Sequence, residues 1–175
     1  MATLKLPVSE EDSIQGNENA TITLVEYGDY QCPHCAAAYY VIKDIQKHFG
    51  TQLRFVFRNF PLKEIHTFAM VAAETAEFAG DYDLFWEMHD LIYENQESLG
   101  VPLLSGLAET LGLSMTDLEL AIKKGVYVPK IQKDFMGGVK SGVNGTPTFF
   151  INDQRYKGPF DFKNLIEAID SVAVG

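Results

Sequence analysis

The sequence predicts an α/β fold that opens strand–helix–strand, runs through a long all-helical middle and closes strand–strand–helix. Three observations carry this. Residues 21–27 (TITLVEY) and 52–58 (QLRFVFR) are rich in β-branched and aromatic residues. Between them Cys35, Tyr39, Ile42, Ile45 and Phe49 recur at steps of three or four, one face of a helix. Helical patterning then fills residues 62–140, and apolar strand character returns only at residues 148–151 (TFFI).

Each element has a local reason. Residues 9–19 are polar and turn-rich and read as a lead-in segment. Gly28 and Asp29 end the first strand, and Pro33 opens the helix, where its missing N–H is not needed. Gly50 stands where a helix C-terminal glycine belongs. Leu53, Phe55 and Phe57 share one face of the second strand. The middle predicts helices over residues 64–79, 82–93, 102–111, 115–124 and 129–139, with Ser114 and Thr116 placed as caps. Phe85, Trp86 and Met88 have the spacing of core residues. Gly137, Gly138 and Gly142 mark a helix end, because no strand precedes them and no Gly-Lys-Ser/Thr follows. Asn152-Asp153 is a hairpin turn, residues 154–157 pair back, and Asp161 opens a last helix on Phe162, Leu165, Ile166 and Ile169.

Composition narrows the function. The chain has 175 residues, 46% apolar and 22% charged, as a folded domain has. Fourteen Lys and Arg against 24 Asp and Glu leave a net charge of −10, which is repelled by phosphate backbones, so no nucleic-acid partner is expected. No apolar run is long enough to span a bilayer. The first 20 residues lack both a basic start and an apolar core, so no secretory signal is visible. The chain as it stands predicts a cytoplasmic protein; a mature periplasmic domain without its signal would read the same. A single domain without long apolar heptads predicts a monomer.

The chemistry concentrates in Cys32-Pro33-His34-Cys35. A strand end followed by a helix start puts Cys32 where free N–H groups and the helix dipole favour an anion, which lowers a thiol pKa. His34, when protonated, adds positive charge. Cys35 lies one helical turn on, within reach of a disulfide. A low-pKa exposed thiolate with a resolving thiol is a thiol–disulfide exchanger, and Cys-x-x-Cys beside a βαβ pattern is a thioredoxin-like sign. A zinc site would need more ligands than the scattered His48, His66 and His89 offer, so no metal is expected. Glu74 and Glu77 lack the Glu-x-x-His of a di-iron site. Far along the chain, Pro147 opens a strand after a tight turn (VNGTPT), a place for a cis X–Pro bond or for an ordinary trans loop. Glu26 lies in an apolar strand, either buried with a raised pKa or facing solvent at the strand end. Tyr27, Tyr30 and Phe60-Pro61 form either an apolar rim for substrate peptide or plain packing.

The segments EYGDYQCPHC and GTPTFFIN, in this element order, resemble the bacterial DsbA-like oxidoreductases of the thioredoxin superfamily, over most of the chain from Ile14 onward. The resemblance implies the thioredoxin fold, with a central mixed sheet and an all-helical insertion. It implies a discontinuous domain of residues 14–62 and 143–175, an insertion of 63–142 and a lead-in of 1–13. It implies that Cys32 attacks, that Cys35 is the buried resolving thiol and that Pro147 is a cis proline facing them. It further implies that Thr146 offers backbone hydrogen bonds to substrate, and that Glu26 accepts the Cys35 proton. Thr146 is a departure, since DsbA itself has Val there. Pro-His between the cysteines leans toward an oxidase. No cofactor is implied. The partners are cysteine-containing proteins or peptides and a recycling redox partner. Similar domains occur alone or fused to membrane antiporters. Two other readings stay open: a redox-sensing or interaction module with little turnover, and a relative of the kappa-type glutathione transferases.

Overall fold

The computed structural model describes residues 2–174; Met1 and Gly175, the outer limits of the expected lead-in and domain, lie outside them. Five strands form one mixed sheet: β1 (Ser13–Gly16), β2 (Ile22–Gly28), β3 (Leu53–Asn59), β4 (Thr148–Ile151) and β5 (Gln154–Tyr156), in the order β1-β3-β2-β4-β5. The β2·β3 pair is parallel and the other three are antiparallel. A parallel pair needs a crossover, and α1 (Pro33–Phe49) supplies it. Gly50 follows at φ 52, a conformation that glycine adopts without a Cβ clash. Five further helices follow β3: α2 (Ala69–Gly80), α3 (Phe85–Glu94), α4 (Val101–Thr110), α5 (Met115–Lys124) and α6 (Val128–Lys140). The last, α7 (Phe162–Val174), packs beside α1.

The sheet's two faces bury separate clusters, as alternation along β2 and β3 demands. Leu24, Phe55 and Phe57 point toward α1 and the inserted helices, while Val25, Tyr27 and Val56 point the other way with Phe60 and Phe150. Phe85 and Met88 lie in the first cluster, with Trp86 packed at its edge. The hairpin turn has Asn152 and Asp153 both at positive φ, as a two-residue turn between twisted strands requires.

Three expectations are corrected. The polar stretch 9–19 contains β1, an edge strand that pairs antiparallel with β3. Its sequence SIQG carries one large apolar residue, so alternation could not announce it. The first inserted helix begins at Ala69 and not at residue 64. The backbone at Leu62 and Phe68 is held instead by the side chains of Asp29 and Gln31. The second begins at Phe85 and not at residue 82, because Asp83 takes φ 60 and breaks the helical path.

The N-terminal segment is tied down by Arg58. Its fully buried guanidinium donates to both Asp12 carboxylate oxygens (2.9 and 3.0 Å), to the Leu6 and Pro7 carbonyls and to the Tyr27 hydroxyl. Burial alone would raise the Asp12 pKa, but the hydrogen bonds and charge of Arg58 hold it below the usual range. Removing one partner of such a pair strands the other charge. Arg58→Met is therefore expected to cost about 3–5 kcal/mol in urea denaturation. It should also raise amide exchange across residues 6–12; unchanged exchange there would show that the segment is held by something else.

Candidate active site

The end of β2 and the start of α1 build the site. Gly28 ends β2, Asp29 leaves the sheet, and Cys32 becomes the N-cap of α1 (φ −70, ψ 122) with Pro33 in the first turn. The Cys32 N–H donates to the Asp29 carbonyl (3.1 Å), closing the turn, and the Cys32 carbonyl accepts from Ala36 N–H (3.1 Å), starting the helix. The Cys32 sulfur thus faces amide donors that no helical carbonyl can use. Both cysteines are free thiols.

The two sulfurs sit in unlike surroundings. The Cys32 pKa is pulled down to about 5. The largest cause is the hydrogen bond from the Cys35 thiol; burial opposes it, and Thr146 and the backbone amides of Cys35 and His34 add to it. His34 itself is exposed, and its backbone amide is what bears on Cys32. Cys35 goes the other way. Burial, its bond to Cys32 and the nearby Glu26 charge push its thiol well above the ordinary value. Only the Asp29 N–H, 3.5 Å from its sulfur, acts to lower it. Cys32 is less open than the sequence suggests: 5% of it is exposed, against none of Cys35.

The loop before β4 closes the site from the other side. The Thr146–Pro147 peptide is cis, and the Thr146 carbonyl oxygen lies 3.6 Å from the Cys32 sulfur. Thr146 Oγ1 is buried without a hydrogen-bond partner, so its O–H is free to turn toward the sulfur when that sulfur is charged. The fold therefore brings together residues 32 and 146, which are 114 apart in sequence.

Glu26 lies in β2 beneath the pair and is 2% exposed. Its Oε2 has no partner, and its pKa is raised to about 8 by burial and then by the Cys32 charge. Gly28 makes room for it, since a Cβ there would stand 2.5 Å from the Phe57 ring and 2.7 Å from Glu26 Oε2.

The apolar rim is corrected. Tyr27, Tyr30 and Phe60 are at most 2% exposed and offer no surface to a peptide. Tyr30 packs on Phe57 and Tyr93 and hydrogen-bonds His89 Nδ1 (2.9 Å), while Phe60 stacks on Phe135. Burial holds the His89 pKa well below the ordinary value, so this ring is neutral within its aromatic surround.

Sequence reasoning missed the residues that brace the turn. Asp29, wholly buried, accepts from Gln31 N–H, Leu62 N–H and His66 Nδ1, each at 2.8 Å. Gln31 Oε1 accepts from Phe68 N–H (2.7 Å), and Gln96 Nε2 donates to the carbonyls of Tyr30 (2.8 Å) and Cys32 (2.9 Å). Asp29 and Gln31 adjoin the motif and could have been found there. Gln96 lies 64 residues beyond Cys32 with no local signal. Glu77, set aside as a di-iron ligand, bonds Asn59 and Lys130. Among the described residues no three His, Cys, Asp or Glu side chains converge as a metal would need.

Comparison with known proteins agrees with this architecture. The family model described as thioredoxin matches residues 8–171. Over 175 aligned residues the chain is 40% identical to the Na(+)/H(+) antiporter NhaA 1 of Salinispora arenicola, covering 98% of this chain and 26% of that one. The chain thus spans about a quarter of the length of the curated relatives it matches. Among solved structures, the oxidised BdbD of Bacillus subtilis superposes with a TM-score of 0.88 at 26% identity, covering 99% of both chains. The α-DsbA1 of Wolbachia pipientis superposes at 0.84 with 21% identity, covering 98% of this chain and 94% of that one. No helix among the described residues is long and apolar enough to cross a membrane.

Two outcomes follow from the electrostatics. Iodoacetamide should alkylate the reduced protein at Cys32 with a rate that rises through a midpoint near pH 5 and is flat by pH 7. A midpoint near that of an ordinary thiol, ~8.5, would contradict the lowered pKa. The raised Glu26 pKa has the opposite sense. Its stabilising effect is complete below the unfolded value of 4.5 and is lost as pH rises to about 8, because the unfolded chain ionises first. In the disulfide form, Glu26→Gln should therefore gain on wild type by on the order of 3–5 kcal/mol between pH 4 and pH 8.5. Equal urea midpoint differences at both pH values would contradict the raised pKa.

Proposed function

The chain belongs to the thioredoxin family, and we propose that it is a DsbA-like thiol–disulfide oxidoreductase whose Cys32–Cys35 pair acts as an oxidase, passing its disulfide to cysteine-containing proteins or peptides. The direction rests on the unlike settings of the two sulfurs: at the N-cap of α1 the Cys32 pKa is pulled down to about 5, while burial pushes that of Cys35 well above the ordinary thiol value. Stabilising one thiolate stabilises the reduced pair, and a disulfide whose reduced form is stabilised is a strong oxidant.

The exchange proceeds in balanced steps. A substrate thiolate attacks the Cys32 sulfur of the disulfide, a mixed disulfide forms and Cys35 leaves. A sulfur with so high a pKa leaves poorly unless it is protonated. Glu26, still protonated at neutral pH, supplies that proton and takes it back in the reverse direction. A second substrate thiolate then attacks the substrate sulfur of the mixed disulfide. Cys32 leaves readily as the low-pKa thiolate. The substrate gives up two electrons, and a recycling redox partner must remove them from the pair. The half-buried edge of Thr146 and Pro147 offers backbone to an extended peptide beside the Cys32 sulfur, which lies 3.6 Å from the Thr146 carbonyl.

An oxidase of this kind works where thiols are not kept reduced by glutathione, so the reading favours the periplasmic placement over the cytoplasmic one.

Cys32→Ser should abolish disulfide transfer to a reduced peptide with two cysteines. Cys35→Ser, incubated with the disulfide form of that peptide, should accumulate a mixed disulfide, the Cys32 thiolate attacking one peptide sulfur and the other leaving as a thiol, seen by mass spectrometry of the non-reduced adduct. Absence of any adduct, with wild type also failing to oxidise the peptide over many turnovers, would favour a redox-gated interaction module instead.

A further inference from the structure

The turn that carries Cys32 is gripped from the helical insertion, and the strongest grip on its backbone comes from one side chain. Gln96 lies in the single 3-10 turn Gln96–Ser98 that follows α3. Its Nε2 donates to two carbonyls at once, those of Tyr30 (2.8 Å) and Cys32 (2.9 Å), on either side of Gln31. Both carbonyls are thereby turned toward the insertion. The same turn is held at Gln31 by Phe68 N–H and at Asp29 by Leu62 N–H, so its position is set by residues 62–96 as well as by its own strand and helix.

We propose that Gln96 is a positioning residue for thiol exchange: by clamping the carbonyls of Tyr30 and Cys32 it fixes the turn so that Cys32 stays at the amide end of α1. The inference rests on the functional reading above and deepens it. A peptide unit has a negative oxygen end and a positive N–H end, and a thiolate is stabilised only by the latter. If the Tyr30 and Cys32 carbonyls are released, the turn can relax so that the amides lose alignment and a carbonyl comes closer to the sulfur. Both changes destabilise the thiolate. The oxidised pair carries no such charge and is less affected, so the disulfide becomes the weaker oxidant. Gln96 touches neither sulfur; it acts through the backbone of the turn.

The test is Gln96→Met, which keeps the length of the side chain and removes its donors, beside Gln96→Glu, which keeps the shape and places acceptor oxygens against the two carbonyls. The full chain is used. Three quantities are read for each protein: the Cys32 pKa from thiolate absorbance at 240 nm, the equilibrium constant with reduced and oxidised glutathione, and the melting temperature of both redox forms. Loss of two neutral hydrogen bonds that act indirectly should raise the Cys32 pKa by about 0.5–1 unit. The same change should move the glutathione equilibrium about three- to tenfold toward the protein disulfide, with the reduced form losing more thermal stability than the oxidised one. A merely structural Gln96 would lower both melting temperatures alike and leave pKa and equilibrium constant at the wild-type values in both variants, and that result overturns the inference. A wild-type pKa near that of an ordinary thiol would remove the functional reading itself, and with it anything for Gln96 to maintain. A wild-type pKa near 5 with unmoved variants removes only the role of Gln96.

Discussion

A thiolate in a folded chain needs donors that nothing else has claimed, and the first turn of a helix is where unclaimed N–H groups are found. The arrangement around Cys32 depends on that supply. Strand β2 delivers Cys32 to the N-terminus of α1, Pro33 opens the helix without withdrawing a useful N–H, and the amides of His34 and Cys35 help to lower the pKa of the sulfur. The Cys35 thiol completes the set and contributes most. That last contribution ties the two cysteines together: the bond that lowers one pKa raises the other. One pair of side chains thus acquires a ready leaving group and a reluctant one.

Holding a thiolate has a cost elsewhere. Glu26 is buried with an unpartnered oxygen, and Gly28 must remain without a side chain to leave space for it. A carboxyl group so placed keeps its proton at neutral pH, which suits a site where Cys35 must gain or lose one. The turn is then braced from the insertion at Asp29, Gln31 and Gln96, so the inserted helices position the chemistry as well as enlarging the core.

The order of elements was legible because α1, β2, β3 and the closing hairpin each carry a clean period and a stop signal. Cys32 and Cys35 were legible as a pair because their spacing at a strand–helix junction puts one at the helix N-cap and the other one turn on. What stayed hidden has physical reasons. Strand β1 takes its order from the backbone of β3, so its own residues needed little apolar pattern. The late start of α2 follows from Asp29, a side chain some 40 residues earlier whose carboxylate also receives the His66 ring. Tyr30 and Phe60 look like surface aromatics beside a motif, yet they complete two separate clusters on opposite faces of the sheet: Tyr30 sits among Phe57, His89 and Tyr93, and Phe60 beside Tyr27 and Phe135. Composition does not tell which side of a sheet such a residue will take. Gln96 reads as a polar loop residue until the fold sets it against the Cys32 turn.

The central claim is that a stabilised Cys32 thiolate makes the oxidised pair a disulfide donor, and the reduction potential tests it most directly. Titrating the purified protein against mixtures of reduced and oxidised glutathione, with the Cys32–Cys35 pair followed by thiol alkylation, gives that potential. A stabilised thiolate predicts a value between about −120 and −180 mV, the range of dedicated oxidants and isomerases. A value near −270 mV, where thioredoxin lies, would mean that the thiolate does not govern the pair and that it works as a reductant.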